Sequence, residues 1–170
     1  LSEDRNKSVL LLEAGGADRN IFIHIPAGFF KTIANPKVNW LYTTEAQESS
    51  GNREISWPRG KALGGSSSIN GHLIVRGQQE DYDGWRQLGN TGWSFDDVLP
   101  YFRKFESASL GDENLRGRDG PIKVQEPIEQ HPLTHVFMDA CEEAGLPRNA
   151  DYNGATQEGA GFFQYALGNG

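Results

Sequence analysis

At 170 residues the chain can bury one modest core. Its formal net charge of −7 argues against nucleic acid as a partner, because an acidic surface repels phosphate backbones. No apolar run approaches a membrane span, and a lone Cys141 rules out an internal disulfide or a thiolate metal cluster. With 36% hydrophobic residues and 21 glycines, the composition points to a loop-rich α/β protein rather than a helical bundle.

The chain opens on Leu1 rather than Met and closes on Gly168-Asn169-Gly170, which reads as the middle of a turn. It is therefore expected to be part of a longer protein. No signal peptide is visible. A cytoplasmic location is the expectation, with peripheral membrane association left open.

Val9-Leu10-Leu11-Leu12 is a continuous apolar run ending in Glu13-Ala14-Gly15-Gly16. It predicts a buried parallel strand with a carboxylate at its C-terminal edge, where ligands of open α/β sheets bind. In dinucleotide-binding folds an acidic residue there takes the ribose hydroxyls, about 20 residues after a Gly-rich turn. Only twelve residues precede Glu13, so that turn would lie upstream of Leu1. On local sequence alone, a solvated strand-end glutamate is the alternative.

From Ile21 to Asn39, Pro26, Gly28 and Pro36 break any long element. Trp40-Leu41-Tyr42-Thr43-Thr44 predicts a strand, Ser49-Ser50-Gly51-Asn52 a turn and Ile55-Ser56-Trp57 a second strand. Together they predict a hairpin that delivers the segment after Trp57. Ser94 caps a helix reaching Glu106, with Asp97 in a capping-box position and a kink or restart at Pro100. Phe95, Val98, Leu99, Phe102 and Phe105 share one face of it. Gly120-Pro121-Ile122-Lys123-Val124 reads as a turn entering a strand, and Gly161-Phe162-Phe163-Gln164-Tyr165 as another. Between them, Pro132 to Ala144 carries a helical stripe of Leu133, Val136, Phe137, Ala140, Cys141 and Ala144, stopped by Gly145 and Pro147.

The most informative stretch is Pro58-Arg59-Gly60-Lys61-Ala62-Leu63-Gly64-Gly65-Ser66-Ser67-Ser68-Ile69-Asn70-Gly71. Gly64-Gly65 admits backbone conformations closed to other residues and lets main-chain N–H groups press against a ligand. Three hydroxyls and two cations complete a loop suited to a bulky anionic cofactor rather than a small metal ion. On pattern alone a surface turn is the alternative. A phosphate loop of the Gly-x4-Gly-Lys-Ser/Thr type is excluded, because Ile55 stands at the first Gly and Ala62 follows Lys61.

The order of these residues resembles the first signature of the glucose-methanol-choline (GMC) flavoprotein oxidoreductases. The likeness spans nearly the whole chain. It continues through Val9–Gly16, Asn39-Trp40, Glu80–Trp85, Gly92–Phe102, Gly120–Val124, Gly145–Asn149, Asp151–Gly154 and Gln157–Gln164, and is nearest the choline and long-chain alcohol dehydrogenase branch. The resemblance implies part of a Rossmann-like FAD-binding domain over residues 1–118 and the start of an α+β substrate-binding domain over 119–170. It implies FAD held by Glu13 at the ribose and by Trp40 near the cofactor. Gly60, Lys61, Ala62, Leu63 and Gly65 would line the pyrophosphate and flavin. Asn70, Gly71, His72 and Leu73 would border the isoalloxazine ring, largely through backbone atoms. Some members tether FAD through a His at the position of Ile69. Isoleucine forms no such bond, so non-covalent FAD is expected. Ile74 and His72 are mild departures; His72 either tunes the flavin or, as the favoured expectation, fills space.

The resemblance further implies oxidation of a primary alcohol, choline-like or aliphatic, to an aldehyde by hydride transfer to flavin N5. A quinone-type carrier or oxygen would reoxidise the flavin. The family's catalytic His lies near the C-terminus of a far longer chain, so no catalytic residue is assigned. His24 sits in a Pro/Gly loop, and His131 and His135 are read as structural, with no metal site. Two other readings stand beside this one: a catalytically inactive FAD-binding fragment or pseudoenzyme, and a nicotinamide dehydrogenase sharing the ribose-binding Glu.

Overall fold

Pro26 and Gly28 keep the first stretch short-stepped, as expected. In the computed structural model, which describes residues 2–167, α1 (Ile21–His24) passes through a tight 3-10 turn at Pro26–Gly28 into α2 (Phe29–Thr32). Asn20 caps α1 by accepting the Phe22 N–H. Gly28 is needed at this corner, since a Cβ there would lie 2.3 Å from the Phe22 carbonyl oxygen. The chain divides into two compact units, Leu1–Gly71 and His72–Gly170.

The first unit also contains the expected hairpin. β1 (Tyr42–Thr43) pairs antiparallel with β2 (Ser56–Trp57), Tyr42 opposite Trp57 and Thr43 opposite Ser56. The connection turns through Gly51 and Asn52, both at positive φ. The buried apolar residues of this unit are Val38, Ala62 and Ile69. The Val9–Leu12 run departs from expectation. It forms no strand, and Leu10 and Leu12 are 82% and 84% exposed. A continuous apolar strand needs sheet neighbours on both sides, and none of the described residues supplies one.

In the second unit, α3 (Gln79–Gln87) precedes α4 (Phe95–Phe105). The sequence stripe did not point to α3, whose interior carries Gly84 and whose composition is polar. Gln78 and Asp81 close a capping box at its start. Ser94 caps α4 as expected, its Oγ accepting the Asp97 N–H while the Asp97 carboxylate accepts the Ser94 N–H at 3.0 Å. The helix runs unbroken through Pro100, so the expected restart does not occur. Tyr82 packs edge-on against Trp85 and Phe102, binding the two helices with aromatic surface.

A three-stranded mixed sheet follows, ordered β3 (Glu106–Ala108), β4 (Ile122–Gln125), β5 (Tyr165–Ala166). β3 and β4 are parallel and β4 and β5 antiparallel. The expected boundary at 118/119 falls inside this unit, between β3 and β4. α5 (Pro132–Glu143) forms where the stripe predicted a helix, with Gly145 just beyond it at positive φ. Its stripe is not its covered face, however: Leu133, Val136 and Phe137 are exposed, and Met138 is the residue of this helix that is buried. Among the described residues no helix is long and apolar enough to cross a membrane.

Candidate functional site

The Gly/Ser segment leaves β2 and folds back on itself. Gly60 approaches Gly65 so closely that a Cβ at residue 60 would sit 2.0 Å from the Gly65 carbonyl oxygen. Gly64 and Gly65 both take positive φ, +88° and +57°, the conformation only glycine adopts cheaply. The next residues form a 3-10 turn, Gly65–Ser68. The three hydroxyls work inside the loop. Ser66 Oγ accepts the Gly60 N–H at 3.1 Å, Ser67 donates to the Gly64 carbonyl at 2.5 Å, and Ser68 donates to the Leu63 carbonyl at 2.8 Å. Each hydroxyl thus has a partner within the turn and helps to hold its shape.

Two other segments are tied to this loop. The stretch after Glu13 lies along it: the Gly16 carbonyl accepts the Leu63 N–H at 2.9 Å, and Gly16 bridges Ala62 in parallel. Gly15 is required here, because a Cβ would fall 2.1 Å from the Lys61 carbonyl. Glu13 is exposed, and its Oε1 accepts the Gly15 N–H at 2.7 Å. On the other side, the Lys61 N–H donates to the Val38 carbonyl at 2.8 Å and the Trp40 N–H to the Arg59 carbonyl at 2.9 Å. The Lys61 ammonium lies 4.6 Å from the centre of the Trp40 ring, and the Arg59 guanidinium 4.8 Å from that of Trp57. Both cations are thereby held beside the loop by aromatic faces.

The first unit therefore brings together the segments of Glu13, Trp40, Gly60, Lys61, Ala62, Leu63 and Gly65. Ala62 is wholly buried and acts as the loop's anchor, while Leu63 is exposed. Asn70 and Gly71 end this unit. His72 and Leu73 belong to the second unit, where the His72 carbonyl accepts the Ala166 N–H at 2.8 Å and Leu73 bridges Tyr165. His72 has a φ of +60°, uncommon for a residue with a side chain. Ile69 is buried in the first unit.

Gly16 and Gly71 are glycines that this chain itself does not demand. Neither has positive φ, and a Cβ at either would meet nothing within 4 Å. Bare backbone facing open space is what close approach of a ligand requires.

Of the other histidines, His131 caps α5 by accepting the Leu133 N–H on Nδ1, and His135 packs edge-on against Phe162. The ring of His24 hydrogen-bonds the Asp18 carbonyl at 2.6 Å.

Spacing alone does not announce the buried charge cluster of the second unit, since its members come from four separate segments. Glu106 is fully buried and accepts from Arg116 Nε at 2.8 Å, from Arg116 Nη2 at 3.2 Å and from the Gly117 N–H at 2.9 Å, with Arg76 Nη2 at 2.5 Å. Arg116 also pairs with Asp151 and donates to Gln164 Oε1. Burial pushes the Glu106 carboxyl up, but the Arg116 hydrogen bonds, the Gly117 N–H and the Arg76 charge outweigh it and hold the group below its ordinary value. Two guanidiniums and two carboxylates balance, so the cluster carries no net charge. It knits β3 to the Asp151–Gln164 region.

The family model for GMC oxidoreductase matches residues 11–169. The chain is 46% identical over 164 residues to an oxygen-dependent choline dehydrogenase of Sinorhizobium fredii, covering 96% of this chain and 30% of that protein. Among solved structures it resembles pyridoxine 4-oxidase from Mesorbium loti, with a TM-score of 0.92 and 32% identity over 99% of this chain and 33% of that one. It also resembles an FAD-dependent oxidoreductase from Chaetomium thermophilum, with a TM-score of 0.86 and 31% identity, covering 99% and 30%. The chain thus spans about a third of the length of these proteins.

Proposed function

Because the chain belongs to the GMC oxidoreductase family, we propose that it forms the cofactor-binding part of an FAD-dependent enzyme that oxidises a primary alcohol, choline-like or aliphatic, to an aldehyde. The observation that carries this reading is the rigid Gly60–Ser68 turn, with Lys61 and Arg59 beside it and the Glu13 segment laid along it. Residues 1–118 are assigned to the cofactor side and 119–170 to the start of the substrate side.

The residues fit an extended dinucleotide. Glu13 is exposed at a chain segment's end and offers a carboxylate to ribose hydroxyls. Lys61 and Arg59 would offset the charge of a pyrophosphate in a chain of net charge −7, while Gly60, Leu63 and Gly65, whose N–H groups are bonded to Ser66, Gly16 and Ala62, and the buried Ala62 give the turn its shape beside it. Trp40 covers Lys61 and lends it an apolar wall. Asn70, Gly71, His72 and Leu73 border the flavin ring, with Gly71 giving it bare backbone. When bound, FAD supplies the redox step by taking hydride from the alcohol carbon. The base that takes the hydroxyl proton is not assigned to any residue of this chain. Ile69 offers no nitrogen for a covalent tether, so FAD is held non-covalently. The reoxidant is a quinone-type carrier or oxygen.

The test is the visible spectrum of the full-length protein before and after acid precipitation. Flavin released to the supernatant is expected. Flavin retained in the pellet refutes the non-covalent reading. A colourless protein that takes up no added FAD refutes the cofactor assignment and leaves the inactive-fragment reading.

A further inference from the structure

Within the cofactor loop of the first unit, one buried polar side chain holds three segments at once. Asn39 is 2% exposed. Its Nδ2 donates to the Ile33 carbonyl at 2.5 Å, while its Oδ1 accepts two N–H groups, from Leu41 and from Arg59, each at 3.0 Å. Leu41 is the residue whose backbone sits in the left-handed region, at φ +54°, disfavoured for a side chain of its size. Asn39 therefore sustains the turn that aims the Trp40 ring and, through the same oxygen, fixes the backbone entering Gly60 and Lys61. The main chain repeats the link, with Asn39 bridging Gly60 in antiparallel fashion. Trp40 in turn lies against the Lys61 ammonium.

We infer that Asn39 is a positioning residue for cofactor binding: it touches no ligand itself, but its carboxamide oxygen sets the placement of Lys61 and Trp40. The inference rests on the reading of this loop as the FAD site. The geometry separates two duties of one side chain. The Nδ2 donor anchors Asn39 to the α2 end and serves stability. The Oδ1 acceptor couples Leu41 to Arg59 and serves the loop.

Aspartate at 39 keeps an oxygen for both N–H donors and loses the donor to Ile33. Alanine and leucine lose both. Apoprotein of the full-length enzyme, as wild type and as Asn39→Asp, Asn39→Ala and Asn39→Leu, is titrated with FAD, and its thermal midpoint is measured without FAD. All three variants are expected to melt below wild type. Asn39→Asp should bind FAD within about threefold of wild type, while Asn39→Ala and Asn39→Leu weaken it by about tenfold or more. The visible band of bound flavin should shift in those two and not in Asn39→Asp. Alanine is read if the leucine variant does not fold. Alanine binding FAD like wild type, or aspartate losing as much affinity as alanine, overturns the inference while leaving the cofactor assignment intact. Wild-type apoprotein that takes up no FAD removes both.

Discussion

Gly60→Ala puts a methyl group where the loop has no room. The new Cβ would lie 2.0 Å from the Gly65 carbonyl oxygen and 2.2 Å from its carbon, against 3.4 Å or more for ordinary contact. Both atoms are backbone, so no rotamer change relieves the clash, and the two limbs of the loop must part by about 1 Å or more. Their separation is opposed by the Gly60 N–H to Ser66 bond and by the Lys61 and Trp40 backbone bonds to either side. Overpacking of this kind costs about 1–3 kcal/mol, and the strained Ser66 bond adds up to about 1 kcal/mol. The expected result is a lower urea midpoint for the apoprotein and FAD binding weakened by at least about tenfold, since Lys61 moves with the displaced limb. Urea unfolding with and without FAD, together with a flavin titration, measures both. Wild-type stability and wild-type FAD affinity in this variant would refute the picture of a close-packed, cofactor-binding turn.

Gly71→Ala should behave in the opposite way. A Cβ there meets nothing within 4 Å, so apoprotein stability should stay within about 0.5 kcal/mol of wild type, yet FAD affinity should fall because the ligand needs the bare backbone. Unchanged affinity would remove Gly71 from the site. Glu106→Gln leaves Arg76 and Arg116 buried with Asp151 as their one remaining carboxylate, and should cost about 3 kcal/mol in urea unfolding. The same group predicts a pH dependence. Its carboxyl lies lower in the folded state than when unfolded, so its contribution is complete above the unfolded value and is lost as pH falls through the folded one. Stability measured from about pH 6 downward should therefore fall more steeply in wild type than in Glu106→Gln, and parallel curves would refute this.

Local chemistry was legible without coordinates. The Ser94 and Asp97 capping box, the hairpin around Gly51-Asn52, the helix from Pro132 and the glycine-dependent turn at Gly60–Gly65 all depend on neighbours a few residues apart, so their spacing carries the information. The family likeness started from that same loop and continued through segments along nearly the whole chain. Tertiary structure alone decided where side chains found partners. It showed Val9–Leu12 exposed for want of sheet neighbours and left the stripe of α5 largely uncovered. It turned Ser66, Ser67 and Ser68 inward, made Asn39 the junction of three segments, and gathered Arg76, Glu106, Arg116 and Asp151 into one neutral cluster. A periodic pattern says which face of an element is apolar. Burial and charge pairing depend on what the chain brings against that face from dozens of residues away, and that is a property of the fold.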